Sequence, residues 1–335
     1  MNFNLINDYF SLIKKVANNK NLKIIISIQN TNNIQNNFYL LPPRMSKKYL
    51  ICGICNSTKE SLDYFLSIGI NLTKVALLDL EIKKKFIAKE DSIIFNSYQE
   101  YLRYKYPNLN VYYFSANLLT IQSVLRRIYK SKTLINENNA LLIGIGNIGI
   151  KLSLALLDLK INTTIYSKNS YKLNNLKNLA EQLYKFNDIK NIFNFSDNLE
   201  KSIKDKNLLI LCTPSINILK SKHLESMDKN ANIISLSSLP YDQEITEILK
   251  KKGINFEYAN IGFELLSYVD YLEFISHSFA IPVRVDNEQE SYVSGGYRAL
   301  PGDIVVDNAY DPTFQIGLIN KEGQFSSSFK LIKDE

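Results

Sequence analysis

Three glycines carry the clearest chemical signal in this 335-residue chain. They stand in Ala140-Leu141-Leu142-Ile143-Gly144-Ile145-Gly146-Asn147-Ile148-Gly149-Ile150-Lys151-Leu152, where an apolar run of strand length ends in Gly-x-Gly-x-x-Gly and an apolar helical pattern follows. Glycines so spaced between a strand and a helix suit the binding of a dinucleotide. Gly144 takes the backbone angles of the turn, Gly146 leaves room for a pyrophosphate to approach the main chain, and Gly149 lets the helix pack close to the strand. The N–H groups at the helix start, at Asn147 and Ile148, have no helical partner and face the phosphates.

The next strand, Thr163–Tyr166, must end beside the adenosine ribose. A carboxylate there bonds the ribose hydroxyls of NAD. Here the strand runs into Ser167-Lys168-Asn169-Ser170, with no acid. Ser167 offers a hydroxyl and Lys168 a positive charge to a 2′-phosphate, which a carboxylate would repel. The expected cofactor is NADP, with NAD the weaker fit. Hydride transfer then needs a proton donor near the nicotinamide and a group that orients the substrate. Of two histidines, His223 lies in the lysine-flanked stretch Leu219–Leu224 and reads as surface. His277 follows a helix that leaves the nucleotide-binding part and is the acid/base candidate. Lys74 and Asp79 form an alternative catalytic pair. Arg44, after Pro42-Pro43, and Arg298, in Gly295-Gly296-Tyr297-Arg298, are candidates to clamp a substrate carboxylate.

Other constellations point to ordinary structure. Cys52-Gly-Ile-Cys55 has the Cys-x-x-Cys spacing and precedes a helix cap at Asn56 or Ser57, yet Tyr49–Cys55 reads as a buried strand, and no second pair completes a zinc site. Asp303, Asp307 and Asp311 lack the glycine and glutamate of a calcium loop and mark turns. No metal is expected, and no Ser/His/Asp arrangement can be assembled.

The order Gly-x-Gly-x-x-Gly, then Tyr166-Ser167-Lys168-Asn169-Ser170-x-Lys172, then Leu179-Ala180 resembles the nucleotide domain of shikimate dehydrogenases and glutamyl-tRNA reductases. That resemblance spans roughly residues 117 to 262. It implies that Ser167-Lys168-Asn169 occupies the place of a 2′-phosphate-binding Asn-Arg-Thr. It also implies that Cys212-Thr213-Pro214 lies along the nicotinamide ribose, and that an α/β substrate domain precedes the nucleotide domain. The catalytic Lys/Asp motif of the first family and the nucleophilic cysteine context of the second are not reproduced, so only the cofactor residues carry over.

The elements that must position these residues alternate between strand and helix. A first set runs from a helix at Leu5–Val16 through strands at Leu22–Ile28, Tyr49–Cys55, Lys74–Leu80 and Asn110–Ser115. Pro42-Pro43-Arg44 reads as an extended connector within it. A second set runs from Ala140 to about Gly262, and turn signals at Gly295-Gly296, Pro301-Gly302 and Glu322-Gly323 then separate short β-rich runs. The expected architecture is α/β: residues 1–130 as a substrate domain, 131–262 as a doubly wound Rossmann domain, and 263–335 as a helix with a small antiparallel extension.

Composition fits a soluble globular chain, with 45% hydrophobic and 22% charged residues and a net charge of +7. Neither a membrane span nor a signal peptide is read from the sequence, which makes the cytoplasm the expected compartment. No recognition module for nucleic acid is found. The expectation is an NADP-dependent oxidoreductase acting on a small polar, carboxylate-bearing metabolite, with a homodimer compatible. Two alternatives stand beside it: a non-catalytic dinucleotide sensor, and an enzyme like adenosylhomocysteine hydrolase that keeps NAD tightly bound.

Overall fold

The computed structural model describes residues 3–29, 38–55, 58–80, 88–90, 93–95, 97–130, 139–184, 192–213, 218–236, 243–276, 283–286, 290–294 and 299–332. The chain forms two compact units, Met1–Glu264 and Leu265–Glu335.

The first unit opens with helix α1 (Asn4–Lys20), whose Ile6, Phe10, Ile13 and Ala17 recur at helical spacing and are all buried. Asn21 ends it in the left-handed region, with φ of 50°. Strands β1 (Lys23–Gln29), β2 (Tyr39–Met45) and β3 (Tyr49–Cys55) follow. Helix α2 (Lys59–Gly69) is capped by Thr58, whose side chain accepts from Ser61 N, so the cap stands at Thr58 and not at Asn56 or Ser57. Then come β4 (Val75–Asp79), the short pair β5 (Ala88–Glu90) and β6 (Ile93–Phe95), helix α3 (Tyr98–Lys105) and β7 (Asn110–Phe114).

The main sheet has the order β2-β3-β1-β4-β7, and β5 pairs with β6 apart from it. Strands β3, β1, β4 and β7 run parallel, and every residue of β3 is buried, as a strand covered on both faces must be. Pro42-Pro43-Arg44 is not a connector. It lies within β2, which pairs antiparallel with β3 across a register shift between Leu41 and Arg44. The prolines are tolerated because β2 is the edge strand and its missing N–H groups fall at the irregularity.

Helix α4 (Ala116–Lys130) leads out of this sheet and buries Ile121, Val124 and Ile128 in the second core. That core surrounds β8 (Ala140–Ile143), α5 (Asn147–Asp158), β9 (Thr163–Tyr166), α6 (Ser170–Leu183) and β10 (Phe193–Ser196). Helix α7 (Leu199–Ile203), β11 (Leu208–Leu211), helix α8 (Ser221–Glu225), β12 (Asn232–Ser235), α9 (Gln243–Lys252) and β13 (Asn255–Tyr258) complete the unit. The six strands are all parallel, in the order β10-β9-β8-β11-β12-β13. In chain order this is 3-2-1-4-5-6, the doubly wound Rossmann sheet, whose strand order reverses between β8 and β11.

Helix α10 (Gly262–Ser276) carries the chain into the second unit. There β14 (Val283–Asp286), β15 (Ser291–Ser294), β16 (Ile304–Val306), β17 (Phe314–Ile319) and β18 (Phe325–Leu331) form one sheet in sequence order. It is not wholly antiparallel, because β15 and β16 run parallel. Asp303 accepts from Arg284 and from Leu300 N, and Asp307 accepts from Thr313 N and Phe314 N. These two acids hold turns and strand ends, as the sequence suggests.

Candidate functional site

The reversal of strand order places two loops face to face at the carboxyl ends of β8 and β11. Cys212 N donates to Ile143 O at 2.8 Å, and Gly144 N donates to Tyr166 O at 3.0 Å. Gly144 has φ of +99°, which any side chain would strain, and a Cβ there would stand 3.0 Å from Cys212 O. A Cβ on Gly149 would stand 2.0 Å from Gly144 O, so only glycine lets α5 start this close to the turn. Gly146 behaves differently. It is exposed, and a Cβ there would meet nothing within 4 Å.

Gly146 is also the N-cap of α5. It has no side chain to satisfy the N–H groups that follow, and the first turn of α5 carries no acid. Open space, unspent donors and the positive end of a helix dipole coincide at one point. Asn147 is exposed and Ile148 half-buried in that turn. These residues fit a bound dinucleotide, whose phosphates supply the acceptors that the chain withholds.

On the other side of β8, β9 stops at Tyr166, which is buried. Ser167 is half-buried, while Lys168 and Asn169 are exposed. Asn169 caps α6 by accepting from Lys172 N at 3.0 Å, and Ser167 Oγ accepts from Asn169 N at 3.1 Å. The turn is thus fixed by its own side chains, and no carboxylate stands in it. The carbonyl oxygen of Asn169 is taken up by capping, which leaves its amide nitrogen as the group it can present. Cys212 and Thr213 are half-buried on the β11 side, and burial pushes the Cys212 thiol up to about 12, so it holds its proton. Cys52 behaves likewise within β3, pushed up to about 12 by burial, and its thiol donates to Ile25 O. The Cys-x-x-Cys pair is a piece of buried strand.

The catalytic candidates separate. Lys74 precedes β4 and Asp79 ends it. Over the length of that strand they stand roughly 16 Å apart. The structure does not bring them together as an acid/base pair. Asp79 is buried and accepts from Ala116 N at the start of α4, where a carboxylate suits the helix dipole. Lys74 borders a hollow of about 290 Å³ with Asn71, Thr73 and Lys105 at the other end of the strand. His277, Arg298 and Pro214 lie outside the described residues.

His223 is not a surface residue. It is 6% exposed, and its Nδ1 accepts from Lys220 N at 3.1 Å at the start of α8. Burial, with Lys222 adding to it, lowers its pKa and favours the neutral ring. The lysines around it in sequence hid this role, because an acceptor ring turned back onto the chain has no composition signal.

Arg44 is half-buried on β2, and its stem lies against Gly262. A Cβ on Gly262 would stand 3.4 Å from Arg44 Cδ and 3.5 Å from Arg44 Nε. Gly262 follows β13, and the turn there is closed by Gly262 N donating to Asn260 Oδ1 at 2.7 Å. Ser123 Oγ on α4 donates to Asn260 O at 2.8 Å. Arg126 on the same helix pairs with the buried Glu264 at 2.7 Å and lies over the Phe263 ring. One edge of the first sheet therefore meets the end of the second sheet at Arg44.

Among the described residues no group of His, Cys, Asp and Glu is arranged to hold a metal ion, and no helix is long and apolar enough to cross a membrane. No family model matches the chain, and no curated protein matches it. Solved structures do. L-tryptophan dehydrogenase from Nostoc punctiforme is similar at 13% identity over 67% of this chain and 62% of that one, with a TM-score of 0.42. The A chain of dipicolinate synthase from Bacillus subtilis is similar at 13% identity over 76% of this chain and 96% of that one, with a TM-score of 0.36. A D-isomer specific 2-hydroxyacid dehydrogenase from Lactobacillus delbrueckii ssp. bulgaricus, in its NAD complexed form, is similar at 13% identity over 70% and 79%, with a TM-score of 0.33. The chain spans only 42% of the length of a further match from Pyrobaculum aerophilum. With TM-scores below 0.5, none of these likenesses assigns an activity to this chain.

Proposed function

We propose that this protein is an NADP-dependent oxidoreductase that moves hydride to or from a small polar metabolite bearing a carboxylate. The observation that carries the reading is Gly146. It is exposed over open space at the uncapped, acid-free start of α5, beside the point where the strand order of a Rossmann sheet reverses. Gly144, Gly146, Asn147, Ile148 and Gly149 would hold the pyrophosphate. Ser167, Lys168 and the amide of Asn169 would hold the 2′-phosphate, and Cys212, Thr213 and Pro214 would border the nicotinamide ribose. When bound, the nicotinamide supplies the hydride chemistry.

The chain's own part is to bind, orient and move protons. Residues 1–130 are assigned to the substrate side and 131–262 to the cofactor. Arg44 and Arg298 are the proposed carboxylate contacts, and His277 the proposed proton donor. Lys74 and Asp79 are not retained as a pair, since they occupy opposite ends of β4.

The test is NADPH consumption by the purified chain with a panel of 2-oxo acids, and NADP reduction with 2-hydroxy and amino acids. Each assay is run beside Gly146→Val. Turnover in wild type that is lost in the variant supports the proposal. NADP binding without turnover on any panel member favours a sensor instead. NAD retained through purification favours an enzyme with a resident cofactor.

A further inference from the structure

Among the described residues, three arginines are paired with carboxylates. Arg126 pairs with Glu264, Arg127 with Glu257 and Arg284 with Asp303. Arg44 is also half-buried, yet it makes no ion pair and no hydrogen bond among the described residues. The groups that act on its charge there are two phenols, Tyr9 and Tyr39. Tyr9 cannot answer it. Its hydroxyl already donates to Leu41 O at 2.7 Å and accepts from Gly53 N at 3.0 Å, and burial pushes its pKa up, so it stays neutral. Burial lowers the pKa of Arg44 itself, while the two phenols act in the opposite direction.

A half-buried charge left unpaired is costly, and an anion docked beside it would relieve that cost. The local backbone holds the residue in this position. Pro42 and Pro43 fix the edge strand across its register shift, and Arg44 resumes pairing with Ile51 immediately after it. Its stem is then laid along Gly262, where the turn after β13 begins α10.

We propose that Arg44 is a subsite for a single carboxylate, set at the seam between the edge of the first sheet and the turn that follows the last strand of the second. A planar guanidinium fork matches the two oxygens of a carboxylate. The phenols of Tyr9 and Tyr39 bring no second positive charge, so the site selects a monocarboxylate over a phosphate dianion. The metabolite that carries this carboxylate is taken from the oxidoreductase reading, on which the inference rests for that point alone.

The experiment is thermal unfolding of the full chain, without cofactor, in pyruvate, in inorganic phosphate and in chloride at equal ionic strength. Wild type, Arg44→Met and Arg44→Lys are compared, and NADP affinity is measured separately by calorimetry. Wild type should show a saturable rise in Tm with pyruvate and not with phosphate. Arg44→Met, which keeps the apolar stem, should melt at or above wild type without ligand. It should bind pyruvate about 10- to 100-fold more weakly, the loss of one charge-assisted pair. Arg44→Lys keeps the charge without the fork and should fall between them. Unchanged NADP affinity in all three is expected.

An equal pyruvate response in wild type and Arg44→Met overturns the proposal, as does a phosphate response equal to that of pyruvate. If Arg44→Met melts lower than wild type, Arg44 is a packing residue and the subsite is refuted. If wild type fails to bind NADP while the pyruvate response depends on Arg44, the dinucleotide reading falls and the subsite stands.

Discussion

Gly146→Val and Gly149→Ala should fail in opposite ways, and the contrast tests how the glycine turn works. At Gly146 a new Cβ meets nothing within 4 Å, so the folded chain has room for it. The cost to stability is that of a poor N-cap, about 1 kcal/mol. The same side chain fills the space from which an anion would reach the first N–H groups of α5. Losing two charge-assisted hydrogen bonds, at about 1.5–3 kcal/mol each, weakens binding by roughly 10²- to 10⁴-fold. At Gly149 a new Cβ stands 2.0 Å from Gly144 O, well short of the 3.4 Å at which ordinary contact begins. The obstacle is backbone, so α5 must move away from β8, at a cost of about 1–3 kcal/mol or more. Calorimetric titration with NADP and thermal unfolding by circular dichroism separate the two. Gly146→Val should keep its melting temperature within a few degrees and lose NADP, whereas Gly149→Ala should lose melting temperature first. A folded Gly146→Val protein that binds NADP within a few-fold of wild type would show that no phosphate sits over Gly146.

Three further outcomes follow from the described geometry. Replacing Ser167 by Asp and Lys168 by Ile should move preference from NADP toward NAD by roughly 10- to 100-fold, since one charge-assisted contact is lost and a repulsive carboxylate gained; parallel titrations with both cofactors check it. Asp79→Asn should lower the melting temperature, because Ala116 N loses a charged acceptor, while NADP affinity holds; Lys74→Ala should change neither, and a selective loss of turnover in either variant would restore the pair as catalytic. His223 has a folded pKa below its unfolded value of about 6.5. The unfolded chain therefore takes the proton first, and the contribution present above that value is lost as pH falls below it. The drop in melting temperature from pH 7.5 to 5.5 should be shallower in His223→Gln, and superimposable profiles would remove His223 from the account.

What could be read from the sequence was what depends on neighbours close in the chain. The turn at Gly144–Gly149 is legible because strand, turn and helix are contiguous, and the steric demands on Gly144 and Gly149 come from one another and from the adjacent β11 end. The all-buried β3 is legible for the same reason, as a continuous apolar run. Edge position is not local. Pro42-Pro43 argues against a strand until it is known that β2 has a neighbour on one side only. His223 failed because its partner is the backbone of Lys220, which any residue could offer. The short helices α7 and α8 span five residues each, too few for a periodic pattern. The parallel pairing of β15 with β16 is a contact between strands that turn signals alone do not specify. For Lys74 and Asp79, spacing along a strand decided the matter: residues at its two ends do not share a site.

Fluorescence titration of the purified chain with NADPH and with NADH decides whether the glycine turn holds a dinucleotide. The chain has no tryptophan, so nicotinamide emission is read against a nearly dark protein background. The expected result is a saturable change in emission with NADPH and a dissociation constant about 10-fold or more below that for NADH, the margin of one charge-assisted contact at Lys168. Equal or tighter binding of NADH would contradict the reading of the Ser167–Asn169 turn, and no saturable change with either would contradict the dinucleotide site itself.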